Sequence, residues 1–178
     1  MAYSVNTNIL FVLSALLLFV TTQATPVDPL LPTCKTVGGG TPDIGIQFCM
    51  DAFHSDPRSA HGGTDQELGI VAVDLLTANA TSTKAKIDGL LVGKTEGATT
   101  QCLRSCQALY GGILQGQPGC AAAAKAGKFR EADKSLGKSA AAAKECEDGF
   151  SKKNFASPLT VENGNAFRLA NLAAALLF

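Results

Sequence analysis

Residues 98–150, which read ATTQCLRSCQALYGGILQGQPGCAAAAKAGKFREADKSLGKSAAAAKECEDGF, decide the fold. Much of the sequence on both sides of Gly127-Lys128-Phe129 favours helices, and a glycine at this point permits a turn. The midpoint between Cys106 and Cys146 falls one residue before this turn, so two antiparallel helices would bring the two cysteines together. The stretch therefore predicts a helical hairpin that one disulfide can link, with the lysine and the phenylalanine projecting from its tip.

The other cysteines leave alternative pairings open. Pairing Cys120 with Cys146 would place the turn near residue 133, inside sequence that favours a helix. Cys102 lies one helical turn before Cys106 and could compete with it for Cys146. Cys102 and Cys120 themselves are 18 residues apart, about 27 Å in a continuous helix, which is far beyond disulfide reach. We therefore predict that Cys102 and Cys120 stay unpaired and that a Cys106–Cys146 bridge contributes about 4 kcal/mol to stability.

Four long helices are predicted in the mature chain, over about residues 65–92, 98–126, 129–151 and 158–177. Thr64 and Glu67 have the spacing of a capping box at the start of the first helix. Pro118 is expected to kink the second helix, because proline removes a backbone hydrogen bond. Short connections make successive helices antiparallel, and no stretch alternates like a strand. The sequence thus predicts an all-α, up-down-up-down four-helix bundle over residues 64–178.

The N-terminus has the pattern of a secretory signal peptide. Residues 9–20, ILFVLSALLLFV, contain no charge and are too few to span a bilayer. Ala24 is a suitable cleavage residue, although no Lys or Arg precedes the apolar run. Residues 1–24 are therefore interpreted as a signal peptide and the protein as secreted. In an oxidising compartment its six cysteines become candidates for disulfides.

Residues 25–63 are predicted to form an N-terminal extension of the bundle. Three prolines in residues 25–33 argue against a regular element there, and the glycines at 38–40 favour a flexible turn. A disulfide between Cys34 and Cys49 would close this loop and contribute about 3 kcal/mol. It would make the extension a compact hairpin.

The composition and the motifs argue against several function classes. The 15 basic and 15 acidic residues cancel, which gives no general reason for nucleic-acid binding. His54 and His61 share one polar loop, and the sequence has no C-x-x-C pair and no G-x-S-x-G motif. Neither a metal site nor a hydrolase is therefore expected, and no cofactor is implied. Arg168 and Asn171 interrupt the apolar C-terminus, which argues against a membrane-anchor signal.

Asn79-Ala80-Thr81 matches the acceptor sequence for N-linked glycosylation. Asn79 lies at the edge of the apolar stripe of the first predicted helix, so its occupancy depends on how deeply that edge is buried. We treat Asn79 as a candidate glycosylation site.

A pair of N-terminal cysteines and five short motifs, in order along the mature chain, together resemble a known family. The motifs are Phe48-Cys49-x-x-x-Phe53, Asp56-Pro57-Arg58-Ser59, the bundle cysteine Cys106, Glu145-Cys146-Glu147-Asp148-Gly149-Phe150 and Ser157-Pro158-Leu159-Thr160-x-x-Asn163. In these features the chain is similar to the plant invertase and pectin methylesterase inhibitors. The resemblance implies a four-helix bundle with an N-terminal helical hairpin and two disulfides. It also implies a protein that is not an enzyme and blocks a secreted carbohydrate-active enzyme.

The resemblance points to a target-binding site at the turn. Invertase inhibitors of this family carry a Pro-Lys-Phe motif between the second and third bundle helices, and Gly127-Lys128-Phe129 stands at that position here. Invertases, as retaining glycosidases, use a pair of carboxylates, to which Lys128 would offer a cation while Phe129 fills an apolar subsite. Glycine in place of proline leaves more backbone freedom to be lost on binding.

The resemblance thus implies a secreted inhibitor of a plant acid invertase, a β-fructofuranosidase, in the cell wall or in the vacuole. The alternative target is pectin methylesterase. In that branch of the family the contact surface is mainly the helical face of the bundle and not the turn. The Lys-Phe pair favours invertase as the partner.

Overall fold

The computed structural model of the chain describes residues 27–40, 42–93 and 97–178. The predicted signal peptide lies outside the described residues. Within them the chain forms six α-helices, one short 3₁₀ turn and no β-strand. The helices are α1 (Leu31–Gly39), α2 (Ile46–His54), α3 (Asp65–Leu91), α4 (Ala98–Lys125), α5 (Phe129–Ser151) and α6 (Thr160–Leu177). None of these helices combines the length and the apolar character that crossing a membrane requires.

Helices α3 to α6 form the predicted four-helix bundle. Each packs against its neighbours along the chain, and α6 closes the bundle by packing against α3. A capping box starts α3, since the Glu67 N–H donates to the Thr64 hydroxyl at 3.2 Å and the Thr64 N–H donates to the Glu67 carboxylate at 2.8 Å. The apolar stripes of the four helices bury large side chains almost completely, among them Leu76, Tyr110 and Leu172. The all-α prediction is confirmed.

Pro118 does not divide α4, which runs from Ala98 to Lys125. The proline itself is exposed, on the outer side of the helix. The preceding residue, Gln117, is only 2% exposed, and its side chain joins three helices. Its Oε1 accepts a hydrogen bond from the Thr77 hydroxyl at 3.2 Å, and its Nε2 donates to Ser139 Oγ at 3.3 Å. Proline removes one backbone hydrogen bond from α4. The side-chain hydrogen bonds of the neighbouring Gln117 stabilise the helix at this position.

Helix α6 begins at Thr160, two residues after the predicted start at Pro158. Leu159 occupies the N-cap position and its side chain is fully buried. The Leu159 N–H donates to Ser157 Oγ at 3.1 Å. Leu159 therefore packs into the core immediately before the first helical residue.

The N-terminal extension is a helical hairpin of α1 and α2 that packs against α3 and α6. The Cys34–Cys49 disulfide closes it, with a Cα–Cα distance of 5.5 Å. Phe53 and Leu30 are buried almost completely and extend the hydrophobic core into the hairpin. The hairpin therefore packs on the bundle, and its buried side chains belong to the same hydrophobic core.

The interpretation of the prolines and glycines in this segment as irregular structure is wrong for residues 31–39. Helix α1 accepts Pro32 in its first turn, where a backbone N–H has no acceptor within the helix. Gly38 lies inside the same helix, and a Cβ there would come within 2.7 Å of the Gly45 carbonyl carbon. The glycine therefore permits a close crossing of α1 over the start of α2, and it does not create a flexible turn.

The Asp56-Pro57-Arg58-Ser59 motif fastens the hairpin to α3. The Arg58 guanidinium bonds to the Asp56 carboxylate at 2.7 Å and to the Asp74 carboxylate of α3 at 2.6 Å. Ser59 is fully buried, and its hydroxyl donates to the Phe53 carbonyl at 2.9 Å. This motif, which contributes to the family resemblance, has a structural role here.

Candidate functional site

The turn between α4 and α5 is a helix-terminating motif that depends on Gly127. The Lys128 N–H donates to the Ala123 carbonyl at 2.9 Å and the Gly127 N–H donates to the Ala124 carbonyl at 3.2 Å, which is the pattern of a Schellman motif. Gly127 has a φ of 69°, in the left-handed region, and a Cβ there would meet no atom within 4 Å. The turn therefore needs glycine for its backbone conformation and not for space.

Proline cannot occupy position 127 in this turn. Its ring fixes φ near −65°, and it has no N–H to donate to the Ala124 carbonyl. A Pro-Lys-Phe sequence is therefore incompatible with the backbone conformation of this turn.

Lys128 provides an exposed cation at the turn. It occupies the N-cap position of α5, and its side chain makes no capping hydrogen bond. That side chain is 63% exposed, and its Nζ lies 3.9 Å from the carboxylate of Glu131, which is itself 68% exposed. An exposed ion pair at this distance contributes little to stability. The ammonium group is therefore held only weakly by the chain and is available to an acidic group on a partner.

The surroundings of Lys128 are basic. Lys125, Lys128 and Arg130 are all exposed and stand within six residues, with Glu131 following directly. An excess of positive charge on one surface attracts an acidic cleft and speeds association. The tip is therefore suited to a partner whose binding cleft carries carboxylates.

Phe129 does not project freely, which differs from the prediction. It is half-buried against the core, and its ring meets the ring of Phe178 edge to face, with a centroid distance of 6.4 Å and an interplanar angle of 70°. Phe178 follows the last turn of α6 and is 66% exposed. The aromatic surface of the tip is therefore formed by two rings. No local pattern links residues 49 positions apart, and only the antiparallel arrangement of α5 and α6 brings them together.

The tip is supported by contacts other than the Cys106–Cys146 disulfide. That bridge joins α4 to α5 with a Cα–Cα distance of 4.9 Å. Cys106 precedes Gly127 by 21 residues, however, which is about 30 Å along a helix. Closer support comes from α3, because Gln66 Nε2 donates to the Ala124 carbonyl at 3.3 Å. Packing of α3 against the end of α4 therefore fixes the turn.

Cys102 and Cys120 are unpaired and buried, as predicted. The Cys102 thiol donates to the Gly149 carbonyl at 3.3 Å, and the Cys120 thiol donates to the Ala132 carbonyl at 3.7 Å. Burial raises the pKa of the Cys120 thiol, so this group lacks the thiolate character of a reactive cysteine. Both residues behave as small apolar groups between α4 and α5.

A buried polar layer crosses the bundle away from the tip. The Tyr110 hydroxyl of α4 donates to Asn163 Oδ1 of α6 at 2.9 Å, and Asn163 Nδ2 donates to the Glu147 carboxylate of α5 at 2.7 Å. The second oxygen of Glu147 accepts from the Thr160 hydroxyl at 2.6 Å. Burial raises the pKa of Tyr110, so its phenol remains a neutral donor. The layer explains an acidic residue near the C-terminus of α5, where the helix dipole disfavours it.

Asn79, the candidate glycosylation residue, lies in the middle of α3 and apart from the tip. It is half-buried and faces a cleft at the junction of α2, α3 and α6. The structure therefore separates this residue from the three residues predicted to bind a target.

The fold and the turn define a class of protein, the disulfide-linked four-helix bundles that carry a helical hairpin and an exposed basic turn. Within that class the chain belongs to the plant invertase/pectin methylesterase inhibitor family, whose model matches residues 32–176. Two relatives, from Platanus orientalis and Platanus acerifolia, are each named "Putative invertase inhibitor". Each is 28% identical to this chain over 150 residues, a match that covers 84% of this chain and 88% and 83% of the respective relatives.

Proposed function

We propose that the protein inhibits an acid invertase by inserting the turn Gly127-Lys128-Phe129 into the active-site cleft. The family and the names of the two relatives support an inhibitor of invertase or of pectin methylesterase. The observation that favours invertase over pectin methylesterase is the exposed Lys128 at the tip. Its ammonium group has only a weak ion-pair partner within the chain.

The proposed mechanism is occlusion of the cleft by a cation on a rigid support. The two carboxylates of a retaining glycosidase lie about 5 Å apart, and one ammonium can form charge-assisted hydrogen bonds with both. Lys125 and Arg130 would steer the encounter through their positive charge. Because Phe129 rests on Phe178, the two rings together would cover the rim of the cleft and exclude water.

Secretion is part of the proposal. Residues 1–24 have the signal-peptide pattern, and the two disulfides need an oxidising compartment to form and persist. The inhibitor would then meet its target in the cell wall or in the vacuole.

The test compares the mature chain with Lys128→Ala in an invertase inhibition assay. Loss of one partner of a buried charge pair costs about 2–5 kcal/mol, so inhibition should weaken by about ten-fold or much more. Lys138→Ala removes the same charge from an exposed position further along α5 and should leave inhibition unchanged. All three proteins should unfold at the same temperature. Undiminished inhibition by Lys128→Ala would refute the tip mechanism.

Inhibition of pectin methylesterase is the second candidate, and one observation favours it. Gly127 has a left-handed φ that proline cannot adopt, so this turn cannot carry a Pro-Lys-Phe motif in the same conformation. In the esterase-inhibiting branch the helical face makes most of the contact, and the shape of the turn matters less. Inhibition of the esterase alone, with Lys128→Ala as effective as the unmodified chain, would decide for this candidate.

A further inference from the structure

A cleft of about 330 Å³ lies where α2 of the hairpin crosses α3 and α6. Its apolar wall includes Phe48 and Leu169, and its polar wall includes Asp51, Ser55 and Asn165. The Arg168 guanidinium lies 4.4 Å from the centre of the Phe48 ring, a contact that restrains the ring. The cleft thus offers an apolar surface and several hydrogen-bonding groups side by side.

Asn79 faces this cleft from the middle of α3. Its Oδ1 is buried and receives no hydrogen bond from the protein, which is true of no other buried side-chain oxygen or nitrogen in the described ranges. A buried carbonyl oxygen without a donor is costly, and no hydrogen bond to this oxygen fixes the side chain of Asn79 within the fold. The residue as a whole is only half-buried and lines the cleft, although Oδ1 itself is enclosed by the protein.

Asn79-Ala80-Thr81 is also the only N-x-S/T acceptor sequence among the 178 residues. Thr81 is exposed, and its hydroxyl donates to the Thr77 carbonyl at 2.8 Å within the helix. The cleft and the acceptor sequence therefore coincide at one asparagine.

We infer that Asn79 carries an N-linked glycan whose first sugar ring occupies the cleft beneath α2. The volume of the cleft is near the lower limit for ligand pockets, which suits a single N-acetylglucosamine ring. Phe48 and Leu169 provide the surface for the apolar face of the ring. Asp51, Ser55 and Asn165 provide partners for its hydroxyl and acetamide groups. The sugar fills the space between the hairpin and the bundle and couples the two.

The modification follows the ordinary chemistry of N-glycosylation and rests on the predicted secretion of the chain. Asn79 Nδ2 forms a bond to the anomeric carbon of an oligosaccharide that is linked to a lipid diphosphate. The bond between that carbon and the diphosphate breaks, the lipid diphosphate leaves, and Nδ2 loses one proton to solvent. The transfer precedes folding, because the folded chain holds the acceptor sequence in a helix beside α2.

The glycan does not interfere with the proposed target site. Gln66 of α3 contacts the end of α4 at the tip, and Asn79 lies 13 residues further along α3, about 20 Å away along the helix axis. The two proposals therefore have separate readouts, one in glycan chemistry and one in enzyme inhibition.

The first experiment establishes the modification in protein secreted from yeast. Intact mass should show a glycan on the unmodified sequence and on Thr81→Ser, which keeps both the acceptor sequence and the hydroxyl. Thr81→Ala should lose the glycan completely. An unmodified sequence that is secreted without a glycan would overturn the proposal.

The second experiment locates the first sugar by its accessibility to peptide N-glycosidase, which cleaves the asparagine–sugar bond. Release from the native protein should be about ten-fold or more slower than release after reduction and denaturation, because the bond becomes accessible only when the hairpin opens. The control protein carries Thr81→Ala, which removes the natural acceptor sequence. It also carries Asp133→Asn, which creates the acceptor sequence N-K-S at an exposed position of α5. The control glycan should be released rapidly in the native state. Equally rapid native release at Asn79 would show that the sugar lies outside the cleft.

Discussion

The framework of the bundle and its tip are stabilised by different kinds of contact. In the framework, the Cys106–Cys146 disulfide and the hydrogen bonds of Tyr110, Asn163 and Glu147 join α4, α5 and α6. At the tip, the turn from residue 127 to 129 has backbone hydrogen bonds, an exposed ion pair and one contact between rings. Substitutions that remove a disulfide or a buried hydrogen bond lower the stability markedly, whereas substitutions at exposed contacts lower it little.

The difference shows why family membership alone does not select the target. Glu147, Asn163 and Ser59 carry part of the family resemblance, and all three make hydrogen bonds inside the fold. Target selection requires exposed side chains, and in the mechanism proposed for invertase these are the side chains of the tip, where glycine stands in place of the proline of Pro-Lys-Phe. Framework variants should therefore lose stability and keep inhibition. Lys128→Ala should do the reverse.

The largest effect is expected from removing the framework disulfide. The double variant Cys106→Ala/Cys146→Ala should lose about 4 kcal/mol of unfolding free energy, because the bridge closes a loop with a sequence separation of 40. Chemical denaturation measures this loss, and invertase inhibition should persist under conditions where the variant is folded. The control Cys102→Ala/Cys120→Ala removes two buried thiols from α4, keeps the bridge and should lose much less. Equal losses in the two double variants would contradict a special role of the disulfide.

The second effect concerns the buried polar layer. Asn163→Ala removes the acceptor of the Tyr110 hydroxyl and one donor to Glu147, so we expect a loss of about 1–3 kcal/mol. Asn171→Ala is the control on the same helix, because this asparagine is half-buried and its side chain makes no hydrogen bond in the described part of the chain. Both variants should inhibit invertase like the unmodified protein. If the two variants unfold at the same denaturant concentration, the polar layer does not stabilise the bundle.

The framework could be predicted from the sequence more fully than the tip. Helical periodicity, the Thr64 capping box and the spacing of Cys106 and Cys146 are local or symmetric signals, and the structure agrees with them. The half-buried state of Phe129 could not be predicted, because its partner Phe178 comes from the far end of the chain. Helix α1 could not be predicted, because its proline and glycines locally disfavour a helix. Gly38 lies there because α1 packs closely against the start of α2, which the local sequence does not show. Such tertiary contacts override the local preference of proline and glycine.

The third effect tests whether the tip can be returned to the family motif. Gly127→Pro recreates Pro-Lys-Phe in sequence, yet the left-handed φ and the N–H bond to Ala124 are both lost. We expect a loss of about 2 kcal/mol, compared with about 1 kcal/mol for Gly127→Ala, which keeps the N–H. Thermal unfolding measures both losses, and the inhibition assay shows whether the altered turn still binds. A Gly127→Pro variant of unchanged stability would mean that the Schellman motif is not needed.

The smallest effect is pH-dependent and belongs to the hairpin, outside both regions of the comparison. Asp28 accepts from the Leu30 N–H at 2.9 Å and contacts His54 Nε2 at 2.7 Å. The Leu30 N–H, and after it His54, hold the pKa of the Asp28 carboxyl below its usual range. Because the folded pKa is depressed, the stabilisation is fully present above the usual pKa of about 4 and is lost as the pH falls through the lower folded value.

The measurement for this effect compares the melting temperature of the unmodified chain with that of Asp28→Asn between pH 2 and pH 6, a range of about two units on either side of the usual carboxyl pKa. The unmodified chain should be the more stable at the upper end, and its advantage should shrink as the pH falls through the lowered folded pKa of Asp28. A difference that stays constant with pH would show that the ionised carboxylate is not the stabilising group. Inhibition should be equal for the two proteins at the upper end of the range. The Asp28–His54 pair links the segment before α1 to the end of α2, and it contacts neither the framework disulfide nor the tip.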